Sequence, residues 1–138
     1  MANKYLNGNS GNVWVNDKLL SNIKSIEAKV SGDFDEVICI GTSKTEYDFN
    51  GWTGEGTLVA NKVDSTTLSL LAEAFKKGEM PEIKIITKLT DKSTGKSERT
   101  AIQDVVFTEF DLAKFEAKTR VEEEIPFKFS DYEILETI

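Results

Sequence analysis

Histidine is absent from the chain and cysteine occurs once, at Cys39. The missing imidazole removes the side chain most used for acid–base work near neutral pH and the commonest zinc ligand. With one thiol and no imidazole, a structural zinc site is excluded too. A single cysteine cannot form an intrachain disulfide, which fits synthesis in a reducing cytoplasm. No apolar run approaches the ~20 residues that span a bilayer. The opening MANKYLNGNS lacks an apolar leader core, so no signal peptide is expected. Basic residues are the minority: 17 Lys and Arg against 24 Asp and Glu leave a net charge of −7. That balance argues against a protein that grips nucleic-acid phosphates, though not against one that lets nucleic acid pass without sticking. Repeats, low-complexity linkers and composition breaks are also missing, so 1–138 reads as one domain. A chain of 138 residues, 39% hydrophobic and 30% charged, is soluble-globular in composition and long enough to bury a core without metal or disulfide.

What is there is mostly strand-like. The one convincing helix lies within residues 63–81, VDSTTLSLLAEAFKKGEMP, at about 65–77. Leu68, Leu71, Ala72 and Phe75 recur at helical spacing and form its core face. Asp64 and Ser65 are the N-cap candidates, Lys76 and Lys77 suit the negative end of the dipole, Gly78 suits a left-handed exit, and Pro81 forbids continuation. One amphipathic helix among strands must lay its apolar face on a sheet, so the class expected is mainly β (α+β), a sandwich or barrel with one flanking helix.

Along the chain, Val13 to Val15 around Trp14 is a short strand, with Asn16-Asp17 as a tight turn before Leu19 and Leu20. Ile26, Ala28 and Val30 then alternate with polar residues. Gly32-Asp33 should break that run, and residues 36–40 (EVICI) look apolar on both faces, with Cys39 as a buried small hydrophobe. Residues 41–54, GTSKTEYDFNGWTG, read as a long loop or the splayed end of a hairpin, carrying Tyr47, Phe49 and Trp52. Those rings either fold back to cap the sheet or project and bury against another subunit. Strands are expected at 57–63, at 83–88 before a polar turn at 91–96, and from 100 to about 110, where the last residues also fit a helix. The cleanest two-residue period is Ala113, Phe115, Ala117, Thr119 and Val121 opposite Lys114, Glu116, Lys118 and Arg120, which predicts a strand. Glu122 to Glu124 form an acidic corner, and a closing strand follows with Phe127 and Phe129 on one face.

Catalytic constellations do not emerge. Adjacent glutamates at 122–124 alternate direction and cannot easily share a proton. Asp33, Asp35 and Glu36 lack the spacing of a calcium loop. The glycines of GWTGEGT lead into a strand with no Lys-Ser or Lys-Thr pair, unlike a phosphate loop at a helix N-terminus. No serine or cysteine has a visible base partner. The chain reads as neither an enzyme nor a cofactor protein. What stands out instead is aromatic residues in polar company and strands suited to pairing.

Three stretches carry a family resemblance: GNSGNVWVNDKLLSNIKSIEAKV at 8–30, GEGTLVANKVDSTTLSLLAEAFKKGEMPEIKIITKL at 54–89, and EEEIPFKFSDYEILETI at 122–138. In order and nearly end to end, they resemble the tail tube proteins of contractile phage tails, in the branch of Gram-positive phages, defective prophages and tail-like bacteriocins. The specificity lies in collinearity and not in any one motif. The resemblance implies a β-sandwich or half-barrel with one flanking helix. Six subunits close it into a larger barrel, and the rings stack into a tube for DNA or ions across the target envelope. It implies a sheath outside, a tape-measure protein or DNA in the lumen, baseplate and tail-terminator proteins at the ends, no cofactor and no specific nucleic-acid binding. The subunit would be made in the bacterial cytoplasm and built into a virion or tail-like particle.

By the same resemblance, Tyr47, Phe49 and Trp52 contact the neighbouring ring, Glu73, Lys76 and Lys77 face the sheath, and Trp14 is a contact of the N-terminal hairpin. The acidic balance suits a DNA conduit, since like charge keeps phosphates from adhering. The basic run at 114–120 is then expected outside the lumen, or paired with acids such as a neighbour's Glu122 to Glu124. The alternatives are the related tube of a secretion system or siphophage and, from another class, a monomeric β-barrel holding a small apolar ligand.

Overall fold

The computed structural model describes residues 6–63 and 65–138. The first five residues, on which part of the leader reading rests, and the N-cap candidate Asp64 lie outside them. One antiparallel sheet of seven strands dominates. In chain order its strands are β1 (Gly11–Val15), β2 (Lys18–Leu19), β3 (Ile23–Ile38), β4 (Thr45–Asn61), β5 (Ile83–Thr90), β6 (Ser97–Phe107) and β7 (Glu122–Glu136), with one helix, α1 (Thr66–Lys77), between β4 and β5. The strand order is β2-β1-β5-β6-β7-β4-β3, so the sheet stays open, with β2 at one edge and the 16-residue β3 at the other.

The local chemistry explains most of these elements. Asn16 and Asp17 take φ of 49° and 68°, the left-handed pair that a two-residue hairpin needs, and they seat Trp14 opposite Leu19. The 91–96 turn joins β5 to β6 around Asp91. The Asp91 carboxylate accepts from the Ser93 hydroxyl at 2.7 Å, the Ser93 amide at 3.0 Å and the Thr94 hydroxyl at 3.0 Å. Those bonds, the Ser93 hydroxyl first, lower its pKa below the ordinary carboxylate value of 3.8. A lowered carboxylate stabilises above its unfolded-state pKa, and the contribution fades as pH falls through the folded one. Asp91→Asn should therefore melt below wild type at pH 7, with the gap closing below about pH 4. An equal gap in melting scans at pH 7 and pH 2.5 would mean the carboxylate charge is irrelevant.

The core gathers Val13, Leu58, Ile83, Ile85, Ile102, Val105, Phe107, Ile125, Phe127 and Phe129 from five strands, and α1 adds Leu71. The helix ends as its sequence requires, with Gly78 left-handed (φ 72°) and its N–H donating to the Ala74 carbonyl at 2.9 Å. Ser65 holds the N-cap position without a side-chain bond. Leu71 and Ala74 are buried, and Leu68 and Ala72 are half-buried. Phe75 is 37% exposed and lies on Phe110, centroids 5.1 Å apart, so it covers the rim and not the interior. Phe75→Ala should accordingly cost about 1–2 kcal/mol, against about 3–4 kcal/mol for Leu71→Ala, in urea unfolding.

Four expectations are corrected. Of the two readings of residues 41–54, the hairpin end holds and the loop does not, because β4 begins at Thr45 and runs through them. The alternation is masked by a bulge in which Asn50 is the extra residue between Phe34↔Phe49 and Asp33↔Gly51. Gly32-Asp33 does not break β3, which continues to Ile38. Cys39 is exposed at the hairpin tip beside Ile38, which is 80% exposed, so an apolar run did not signal a covered strand. Residues 108–121 are neither strand nor helix despite their alternation, because no neighbouring strand lies alongside to receive their hydrogen bonds. In addition, Glu122 to Glu124 open β7 instead of turning a corner. Glu122 meets Lys24 at 2.7 Å and Glu123 meets Lys62 at 3.9 Å.

Candidate assembly surface

The β3–β4 hairpin outruns the sheet that supports it. β4 pairs with β7 only from Gly54 to Asn61, whereas β3 and β4 remain paired out to Ile38↔Thr45. Residues 31–38 and 45–53 thus form a two-stranded arm, about 26 Å long at ~3.3 Å per residue. Its register fixes its faces. Val30, Gly32, Phe34, Glu36 and Ile38, with Trp52, Phe49, Tyr47 and Thr45 opposite, share one face. Asp33, Asp35 and Val37, with Gly51, Asp48 and Glu46, share the other. The arm is amphipathic, aromatic on one side and acidic on the other. Phe34 and Phe49 stack at 5.4 Å yet remain 55% and 61% exposed, and Tyr47 is exposed beside them. An isolated two-stranded ribbon is marginal in water, so such a face needs a cover.

The arm's base is built on two glycines that stand opposite two phenylalanines. Gly54 pairs with Phe129 and Gly56 with Phe127 across β4 and β7. A Cβ at Gly54 would run into the Phe129 ring, and one at Gly56 into the Phe127 ring and the Glu27 carbonyl oxygen. The glycines of GWTGEGT are there to let rings lie across the strand, not to cradle phosphate. Trp52 seals this base, half-buried, 6.2 Å from Phe129 and edge-on to Tyr132 at 5.2 Å.

The structure therefore separates the three rings named from the sequence. Trp52 packs against the core, while Tyr47 and Phe49 stand out on the arm. Phe34, their partner, was missed. The signal for it was its position in alternation with Val30 and Ile38, hidden by the apparent break at Gly32. Trp14 is half-buried on β1, next to inward-facing Val13 and hence on the sheet's outer side. Glu73, Lys76 and Lys77 are exposed on α1.

The two edges of the open sheet curl toward each other across a groove of about 940 Å³. Ile26, Ala28 and Val30 of β3 line one wall, Val13 and Leu19 the other, and Ile102 and Phe129 lie among its lining residues. Among the described residues, no group of acidic, cysteine or histidine side chains is arranged to hold a metal, and no helix is long and apolar enough to cross a membrane.

This fold recurs in solved structures. A chain from the structure of the anti-feeding prophage cap, the tube-terminating cap, superposes with a TM-score of 0.79 at 14% identity, covering 99% of this chain and 95% of that one. A chain of the PVC extracellular contractile injection system, from its extended sheath–tube complex, gives 0.77 at 13% identity, covering 97% and 93%. At the sequence level, the phage-like element PBSX protein XkdM of Bacillus subtilis (strain 168) is 30% identical over 139 residues, covering 99% of this chain and 95% of the relative. The family model described as phage tail tube protein matches residues 1–136. With a match of that length, and a fold shared with contractile-system components, the chain belongs to the phage tail tube protein family.

Proposed function

We propose that the chain, as one domain, assembles into hexameric rings that stack into the inner tube of a contractile tail or tail-like particle. The observation that carries this reading is the amphipathic arm on an unclosed sheet. A subunit with a bare strand at its edge and an exposed aromatic ribbon is incomplete alone, and ring closure supplies covers for both. The lumen is a conduit for DNA or ions, and a net charge of −7 per subunit keeps phosphates from adhering. A tape-measure protein occupies it during assembly.

Glu73, Lys76 and Lys77 on α1 face the sheath, Trp14 contacts a neighbour through the N-terminal hairpin, and the arm reaches the next ring. Baseplate and terminator proteins close the ends. Support for these partners comes from the structures that share the fold, which include chains of a sheath–tube complex, a sheath/tube terminator and a baseplate. The role is structural, not enzymatic. The protein is made in the bacterial cytoplasm and built into the particle. Negative-stain microscopy and sedimentation of the purified chain test the reading, with six-fold rings or cylinders expected as concentration rises. A chain that stays monomeric at every concentration and takes an apolar dye into its groove would instead be a ligand-binding half-barrel.

A further inference from the structure

We propose that residues 113–121 are a latent strand that orders against the outer edge of β3 in a second copy of the chain. This rests on the self-assembly reading above and names the element that makes the contact. The segment has the strictest two-residue alternation in the sequence, Ala113, Phe115, Ala117, Thr119 and Val121 against Lys114, Glu116, Lys118 and Arg120. It nevertheless adopts no strand in the isolated subunit. Every residue from 111 to 120 is exposed, Phe115 at 82%, and Lys118 sits at φ 62°, a left-handed conformation that costs a non-glycine residue and that extension would relieve. A pattern that specifies a strand, held in irregular backbone, lacks only a partner.

β3 supplies what the segment lacks. It ends the strand order, so its outer edge has no partner strand among the described residues. Its faces match as well: Ile26, Ala28 and Val30 line the groove, where Phe115 and its row would extend the apolar wall. On the other face Glu27, Lys29, Asp33 and Asp35 are acidic on balance, opposite a row that is basic on balance. Asp35 stands directly across from Asp48, a like-charge pair that a sheet tolerates poorly without a cation nearby. Asp33, Asp35 and Asp48 make no ion pair with a described residue, nor do Lys118 and Arg120. The donor must be another copy. Within one chain the segment is tied to the far side of β4, through Thr108 N–H to the Pro126 carbonyl at 3.1 Å and Lys62 N–H to the Val121 carbonyl at 2.9 Å.

Hydrogen exchange read by mass spectrometry on the intact chain, dilute and assembled, tests this together with a charge swap. On assembly, amides of 113–121 and of 25–35 should gain protection together. Lys118→Glu with Arg120→Glu should raise the concentration needed for assembly at least ten-fold, and adding Asp33→Lys with Asp35→Lys should restore it. Both sites are exposed, so all variants should fold, and their unchanged circular dichroism checks that. Assembly of the wild type with 113–121 still unprotected, protection of 113–121 without 25–35, or failure of the charge swap to rescue would overturn the latent strand while leaving self-assembly intact. A wild type that never assembles would overturn both.

Discussion

Gly56→Val should cost about 3 kcal/mol or more in urea unfolding, among the largest single-site losses expected in the chain. Its Cβ position is filled from two sides, by the Phe127 ring and by the Glu27 carbonyl oxygen of β3. A ring can rotate away, but a backbone oxygen moves only if β3 moves. Overpacking here would therefore separate the two longest strands of the sheet. Gly54 provides the internal contrast, since the neighbours crowding its Cβ position are atoms of the Phe129 ring. Gly54→Ala should be destabilising alone and largely relieved by Phe129→Leu. Gly56→Ala should gain little from Phe127→Leu, because the oxygen remains and the buried ring is lost. A double-mutant cycle reads the difference as coupling at the first pair and near-additivity at the second. Equal rescue at both would show that β3 shifts freely and that the clash with its backbone has no weight.

The second large effect concerns association. Phe34→Ala and Phe49→Ala should each leave the melting of the isolated subunit within a few degrees of wild type, because both rings are more than half exposed. At an interface such a ring contributes ~2 kcal/mol or more, roughly a thirty-fold change per contact, repeated around each ring of subunits. Assembly followed by light scattering should therefore fall sharply in both variants. Trp52→Ala should behave in the opposite way, losing about 2–3 kcal/mol of subunit stability through its contacts with Phe129 and Tyr132. If Phe49→Ala assembled normally, the aromatic face of the arm would have no part in the tube.

Much of this was legible in the residues. The helix with its Gly78 exit, the Asn16-Asp17 turn and the 91–96 turn each depend on interactions within a few positions, so local chemistry determines them. The closing strand is legible through Phe127 and Phe129, whose two-residue spacing puts both on the buried face. Collinearity of the three stretches at 8–30, 54–89 and 122–138 carried the family, since it samples the whole chain.

What the sequence could not determine was covering. Residues 36–40 and 113–121 carry the apolar content and the alternation that normally mark strands inside a sheet. Yet Ile38 and Phe115 are exposed, because whether a patterned segment is buried depends on which strand lies beside it. That is decided by the strand order, which places β3 at an edge and stops the β4–β7 pairing at Gly54. Sequence alone settled that this chain has no histidine and a single cysteine, that it is a β protein with a helix near its middle, and which family it resembles, because composition and periodicity are properties of residues taken singly or with near neighbours. Only the tertiary structure decided that Trp52 belongs to the core and Phe34, Tyr47 and Phe49 to an arm, because that division follows from pairings between strands distant in the chain.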